Sequence, residues 1–128
     1  MELSDRFRDA VLEGDHPGMV DALAPEVVFN SPVAFLPFEG RDAVGQVLGA
    51  VMGTFEDFRY TDELAGPTAH ALVFSARVGE KQIQGIDLLR FDDDGKIRDF
   101  TVLVRPLSAT IALAEAMGPK VAHLKGRS

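Results

Sequence analysis

Gln82 to Pro106 reads QIQGIDLLRFDDDGKIRDFTVLVRP, two strand-like runs joined by the turn Asp93-Asp94-Gly95. Apolar residues alternate with polar ones on both sides of that turn, and an Asp-Gly pair between such runs is a strong short-range hairpin signal. One residue breaks the pattern. Asp87 stands between Ile86 and Leu88-Leu89, where an ionisable group is costly unless it is paired or neutralised. Its parity puts Ile83, Gly85 and Leu89 on the same face, and Gln84, Ile86, Leu88 and Arg90 on the other.

Working outward, the period of two extends upstream. Strands are expected near Arg59–Ala65, His70–Val78, Gln82–Phe91 and Ile97–Arg105, with turns at Gly66-Pro67 and Gly79-Glu80-Lys81. Such short connections predict an antiparallel meander. Before it the period is helical. Leu3, Phe7, Ala10 and Val11 share a face that Gly14-Asp15 closes, and a shorter helix follows over Pro17–Leu23 until Pro25. Val27-Val28-Phe29 reads as a strand ended by Asn30-Ser31-Pro32, since a residue before proline is pushed out of the α region. After a loop through Phe38, Val44, Val47, Leu48, Val51, Met52 and Phe55 mark the clearest helix. Its glycines at 45, 49 and 53 lower helix propensity, so close packing is their expected reason. Pro106 opens a last helix that Gly118-Pro119 is expected to end, and the basic tail KVAHLKGRS is expected to fray. Helices first and paired strands after predict an α+β domain spanning 1–128, with helices on one face of a curved sheet and a pocket at its open end.

The 128 residues suffice for one core that buries roughly two-thirds of the unfolded surface. Thirteen basic against twenty acidic side chains give a net charge of −7, which argues against nucleic acid and anionic membranes as partners. Without cysteine there is no disulfide and no thiolate chemistry. The amphipathic start MELSDRFRDAV is neither a signal peptide nor a membrane span, and the chain is expected in the cytoplasm. Asp92-Asp93-Asp94-Gly95 is a hairpin turn and not a calcium loop, because Lys96 and Ile97 stand where further oxygen ligands would be needed. No histidine and carboxylate set has metal-ligand spacing, the scattered glycines lack a phosphate-binding pattern, and no cofactor is called for.

The helical start ending in Gly14-Asp15, the VVFNSP strand, the Phe38-Glu39-Gly40-Arg41 helix entry and above all GIDLLRFDDDGKI resemble the nuclear transport factor 2-like superfamily, across essentially the whole chain. The resemblance implies a cone-shaped α+β fold, usually dimeric through the outer sheet face, with an apolar pocket between sheet and helices. Ketosteroid isomerases, SnoaL-like polyketide cyclases and non-enzymatic binding modules share it, so fold alone does not fix function. In the ketosteroid isomerase pattern Asp87 matches the acid that is kept protonated to donate a hydrogen bond, a case in which burial holds a carboxylic acid neutral. The isomerase's general base falls on Ser31 and its phenol on Phe7, neither of which has the required chemistry.

Asp87 is therefore the candidate for proton transfer, and His70, which shares the parity of Leu72, Phe74, Ala76 and Val78, is a second candidate proton carrier. The bland alternatives are an Asp87–Arg77 pair that fixes strand register and a solvated His70. Arg77 has the opposite parity and is expected on the outer face. Phe7, Phe29, Ser31, Phe35, Phe55, Leu89, Phe100, Val102 and Val104 are expected to line the pocket. With nine Phe, one Tyr and no Trp, its ligand should be a small hydrophobic molecule. An outward Ile86-Leu88 pair calls for cover and predicts a homodimer. Two function classes follow: an isomerase, cyclase or dehydratase acting on a hydrophobic carbonyl compound, or a binding or dimerisation module without chemistry.

Overall fold

The computed structural model describes residues 2–124. Helices α1 (Asp5–Glu13) and α2 (His16–Asp21) precede strands β1 (Leu23–Asn30) and β2 (Phe38–Glu39), helix α3 (Arg41–Met52), strands β3 (Glu56–Ala65), β4 (His70–Val78), β5 (Lys81–Phe91) and β6 (Ile97–Arg105), and helix α4 (Leu107–Val121). The six strands form one curved, unclosed sheet in the order β2-β1-β6-β5-β4-β3. β3 to β6 are the expected antiparallel meander, whereas β1 joins β6 in parallel. The α+β cone with N-terminal helices and a C-terminal helix is thus the architecture that the patterning predicts.

Alternation along β4 and β5 is strict. Leu72, Phe74, Ala76 and Val78, then Ile83, Gly85, Asp87 and Leu89, are buried on the concave face. Against them pack Phe7, Ala10 and Val11 of α1, Met19 of α2, Val44, Val47 and Leu48 of α3, and Ala109, Leu113 and Met117 of α4. The α3 glycines serve close packing. A Cβ at Gly45 would come within 3.0 Å of Val20, and one at Gly49 within 3.2 Å of the His16 ring, whose Nε2 hydrogen-bonds the Gly45 carbonyl at 2.7 Å. Gly53 ends that helix, so Phe55 lies beyond it.

Three local expectations change. Pro25 lies inside β1, where the register against β6 slips between Leu23 and Val28; a residue without an N–H is tolerated at such an irregularity. β3 begins three residues earlier than expected, at Glu56, with bulges against β4 between Glu56 and Arg59 and between Tyr60 and Asp62. Gly118-Pro119 does not end α4, which runs to Val121 and continues as a 3₁₀ turn, Ala122–Leu124. Proline costs that helix one donor, but Met117, Gly118 and Val121 are apolar surface facing the interior cavity. Of the basic tail, residues 125–128 lie outside the described residues. No helix among the described residues is long and apolar enough to cross a membrane.

Candidate active site

Between the concave face and the helices lies a cavity of about 410 Å³. Phe7, Phe29, Phe55, Phe100, Val102 and Ser31 line it, together with Asp87. Val33 and Gly118 line it too and are exposed, which puts the mouth between the loop after β1 and the end of α4. Met19, Met52 and Met117 supply adaptable thioether surface. One wall is an aromatic shelf: Phe58 stacks on Phe74 with ring centroids 5.0 Å apart and on Phe55 at 5.8 Å, and Tyr60 meets Phe58 edge-on at 5.0 Å. Gly85 makes this shelf possible. The Phe74 ring occupies the place a Cβ would take, and the Leu103 carbonyl lies 3.0 Å from it on the other side.

Asp87 is the buried acid of this cavity, 7% exposed, flanked on the sheet by Leu72 and Val102. Its Oδ2 accepts a hydrogen bond from the Tyr60 hydroxyl at 3.2 Å. No other protein group among the described residues bonds its carboxyl, and no buried side-chain oxygen is left unsatisfied, so Oδ1 opens on the cavity. Desolvation pushes its pKa from 3.8 to about 7, against a smaller lowering by the Tyr60 hydrogen bond. Near neutrality the group is therefore present in both protonation states. Tyr60 is shifted upward by burial first, then by the charge of Asp87 and the hydrogen bond to it.

Arg77 does not pair with Asp87. It lies on the outer face, where Nε donates to Asp57 Oδ2 at 3.0 Å, one terminal nitrogen to Glu56 Oε1 at 3.3 Å and the other to the Gly79 carbonyl at 2.7 Å.

Four expected site residues are placed elsewhere. His70 has the inward parity but not the cavity: it pairs with Leu89, two residues from the Leu72–Asp87 rung, with its Nδ1 2.9 Å from Ser4 Oγ and its ring edge-on to Phe91 at 5.0 Å. It is buried, not solvated, and α1's N-terminal turn closes that end. Leu89 is wholly buried beside it in packed core. Phe35 is 93% exposed, and its loop neighbours Val33 and Ala34 line the cavity instead. Val104 pairs with Gly85 and packs against the core, past the end of the cavity wall. Ser31 reaches the cavity, but its hydroxyl accepts from the Val33 amide at 3.0 Å.

Tyr60 is the residue that sequence patterning misses. Simple alternation puts it on the face of Leu64, which is 61% exposed. The bulge between Tyr60 and Asp62 reverses the parity, so the tyrosine faces the cavity while Leu64 faces out. Its being the chain's only tyrosine was the available signal.

A cone-shaped α+β fold holding an apolar cavity with one buried acid defines a small-molecule-binding class. Within it, residues 5–100 match the SnoaL-like domain, and the chain belongs to that family. A steroid delta-isomerase from Pseudomonas aeruginosa is 42% identical with a TM-score of 0.88, over 94% of this chain and 90% of that one. An uncharacterised protein with a cystatin-like fold from Silicibacter pomeroyi is 35% identical with a TM-score of 0.89, over 94% and 85%. An NTF2-like protein of unknown function from Mesorhizobium loti, 19% identical over 81% and 88% with a TM-score of 0.72, shares the fold. No curated protein matches.

Proposed function

We propose that this protein binds a small hydrophobic carbonyl compound and moves a proton on it with Asp87. The observation that carries this reading is a carboxyl buried at a cavity wall with one oxygen uncommitted, and desolvation there raises its pKa to about 7. A general base is most effective when its pKa lies near the working pH. The ionised Asp87 Oδ1 takes a proton from a carbon next to the carbonyl, breaking C–H and forming O–H while the electron pair moves onto the carbonyl oxygen. The same group then returns the proton to a second carbon, which shifts a double bond with no other reactant. This chemistry suits a site with a single acid. The 42% identity to a steroid delta-isomerase supports isomerisation as the first reaction to test, and the SnoaL-like family supports cyclisation as the next.

A β,γ-unsaturated ketone, followed by the ultraviolet absorbance of the conjugated product, is the assay. Wild type should convert it and Asp87→Asn should lose roughly 10²–10⁴ of the rate while still binding the product. Equal rates in the two proteins would remove Asp87 from the chemistry. The second reading, a binding module without chemistry, is favoured by Ser31, whose engaged hydroxyl cannot serve as a base. It predicts saturable binding with no conversion of any ketone or polyketide mimic by either protein.

The outer face bears Ile86, Leu88 and Leu103 around Val73, with Leu64 at the edge. We read this apolar face as the contact between two copies of the chain. Sedimentation should show a dimer that Leu103→Lys weakens.

A further inference from the structure

Resting on the proton-transfer reading of Asp87, we propose that Tyr60 is the positioning residue of the site: by donating to Oδ2 it fixes the carboxyl so that Oδ1 is the oxygen offered to the ligand, and it answers each change in the carboxyl's charge. The geometry is specific. Tyr60 reaches Asp87 from β3 across the intervening strand β4, and only the bulge after Tyr60 turns the phenol toward the cavity. Its edge-on contact with Phe58 holds the ring, and Phe58 is held in turn by Phe74 and Phe55. The resemblance implies a phenol at Phe7 of α1, where there is none; here the phenol comes from β3 instead.

No other charged group among the described residues acts on Asp87. The neighbours of Asp87 on β4 and β6 are Leu72 and Val102, and α1 presents Phe7 to the cavity. His70 on β4 is turned to Ser4. Glu63 and Arg8, bonded to each other at 2.7 Å, act on Tyr60 with opposite signs and do not enter the balance of Asp87. At 3.2 Å the Tyr60–Asp87 bond lies just beyond the usual O–H···O range of about 2.5–3.0 Å. Removing the phenol removes the one group that favours the carboxylate.

The test needs no label, because the chain has one tyrosine and no tryptophan. A carboxylate that accepts a hydrogen bond from an excited phenol quenches its emission. Tyrosine fluorescence of the wild-type protein should therefore fall in one step centred near pH 7, and Asp87→Asn should abolish the step. In Tyr60→Phe, the carboxyl band of Asp87 followed by infrared difference spectroscopy against Asp87→Asn should move its midpoint up by about one pH unit. Wild-type emission that stays flat while the carboxyl band titrates would overturn the proposal, as would an unmoved midpoint in Tyr60→Phe. An emission step that survives in Asp87→Asn would overturn it as well. The wild-type titration stands whether or not a variant folds. Failure to turn over any ketone bears on the proton-transfer reading alone, since neither readout uses substrate.

Discussion

Two buried ionisable side chains sit on adjacent strands of the same concave face, and their surroundings are opposite. At the His70 end the interior is filled: the ring has Ser4 at one nitrogen and Phe91 against its edge. At the Asp87 end a cavity of about 410 Å³ meets a carboxyl with a single partner. The rungs are two residues apart, Leu89–His70 and Asp87–Leu72. Parity selects the face, but the helices that cover it decide which part is packed and which is hollow.

The comparison breaks most strongly if the aromatic wall of the hollow end is removed. Phe74→Ala deletes the ring that lies over Gly85 and stacks on Phe58, and should cost about 3–5 kcal/mol in denaturant unfolding. Asp87→Asn should act with the opposite sign at high pH. The folded-state pKa of about 7 lies above the unfolded value of 3.8, so folding binds a proton between these limits and stability falls as pH rises through them. The carboxyl's cost is fully present above pH 7 and absent below pH 3.8, and on the order of 4 kcal/mol is the most that the amide recovers. Unfolding curves of both proteins at acidic and alkaline pH measure it. A variant no more stable than wild type at alkaline pH would place the carboxyl in a solvated or paired setting.

Changing the filled end should be milder and uniformly unfavourable. His70→Leu leaves the buried Ser4 hydroxyl without its partner, at about 1–3 kcal/mol. Arg77→Ala, on the outer face, should have the smallest effect, and 1 M salt should erase it, because its partners Glu56 and Asp57 are solvent-screened.

Much of this fold is legible along the chain. The alternation from His70 to Arg105 and the helical faces of α1 and α3 describe elements whose local pattern and tertiary burial agree. Asp87 stood out because a charge in an apolar strand breaks that agreement. What the pattern hides depends on three-dimensional exceptions. A bulge turns Tyr60 inward, a proline fails to stop α4 where its apolar surface covers the cavity, and α1's first turn takes His70 out of the cavity. Phe35 misleads for a related reason: loop conformation, not periodicity, sets where its ring points.

The central claim is that Asp87 is a cavity-facing carboxyl held near neutrality by desolvation. Carbon-13 NMR of protein labelled at the aspartate side-chain carboxyl carbons, with Asp87→Asn to assign the signal, reads its titration directly. The account predicts a midpoint near pH 7 for that one resonance. A midpoint at or below about 4, the ordinary range of an aspartate in water, would contradict it.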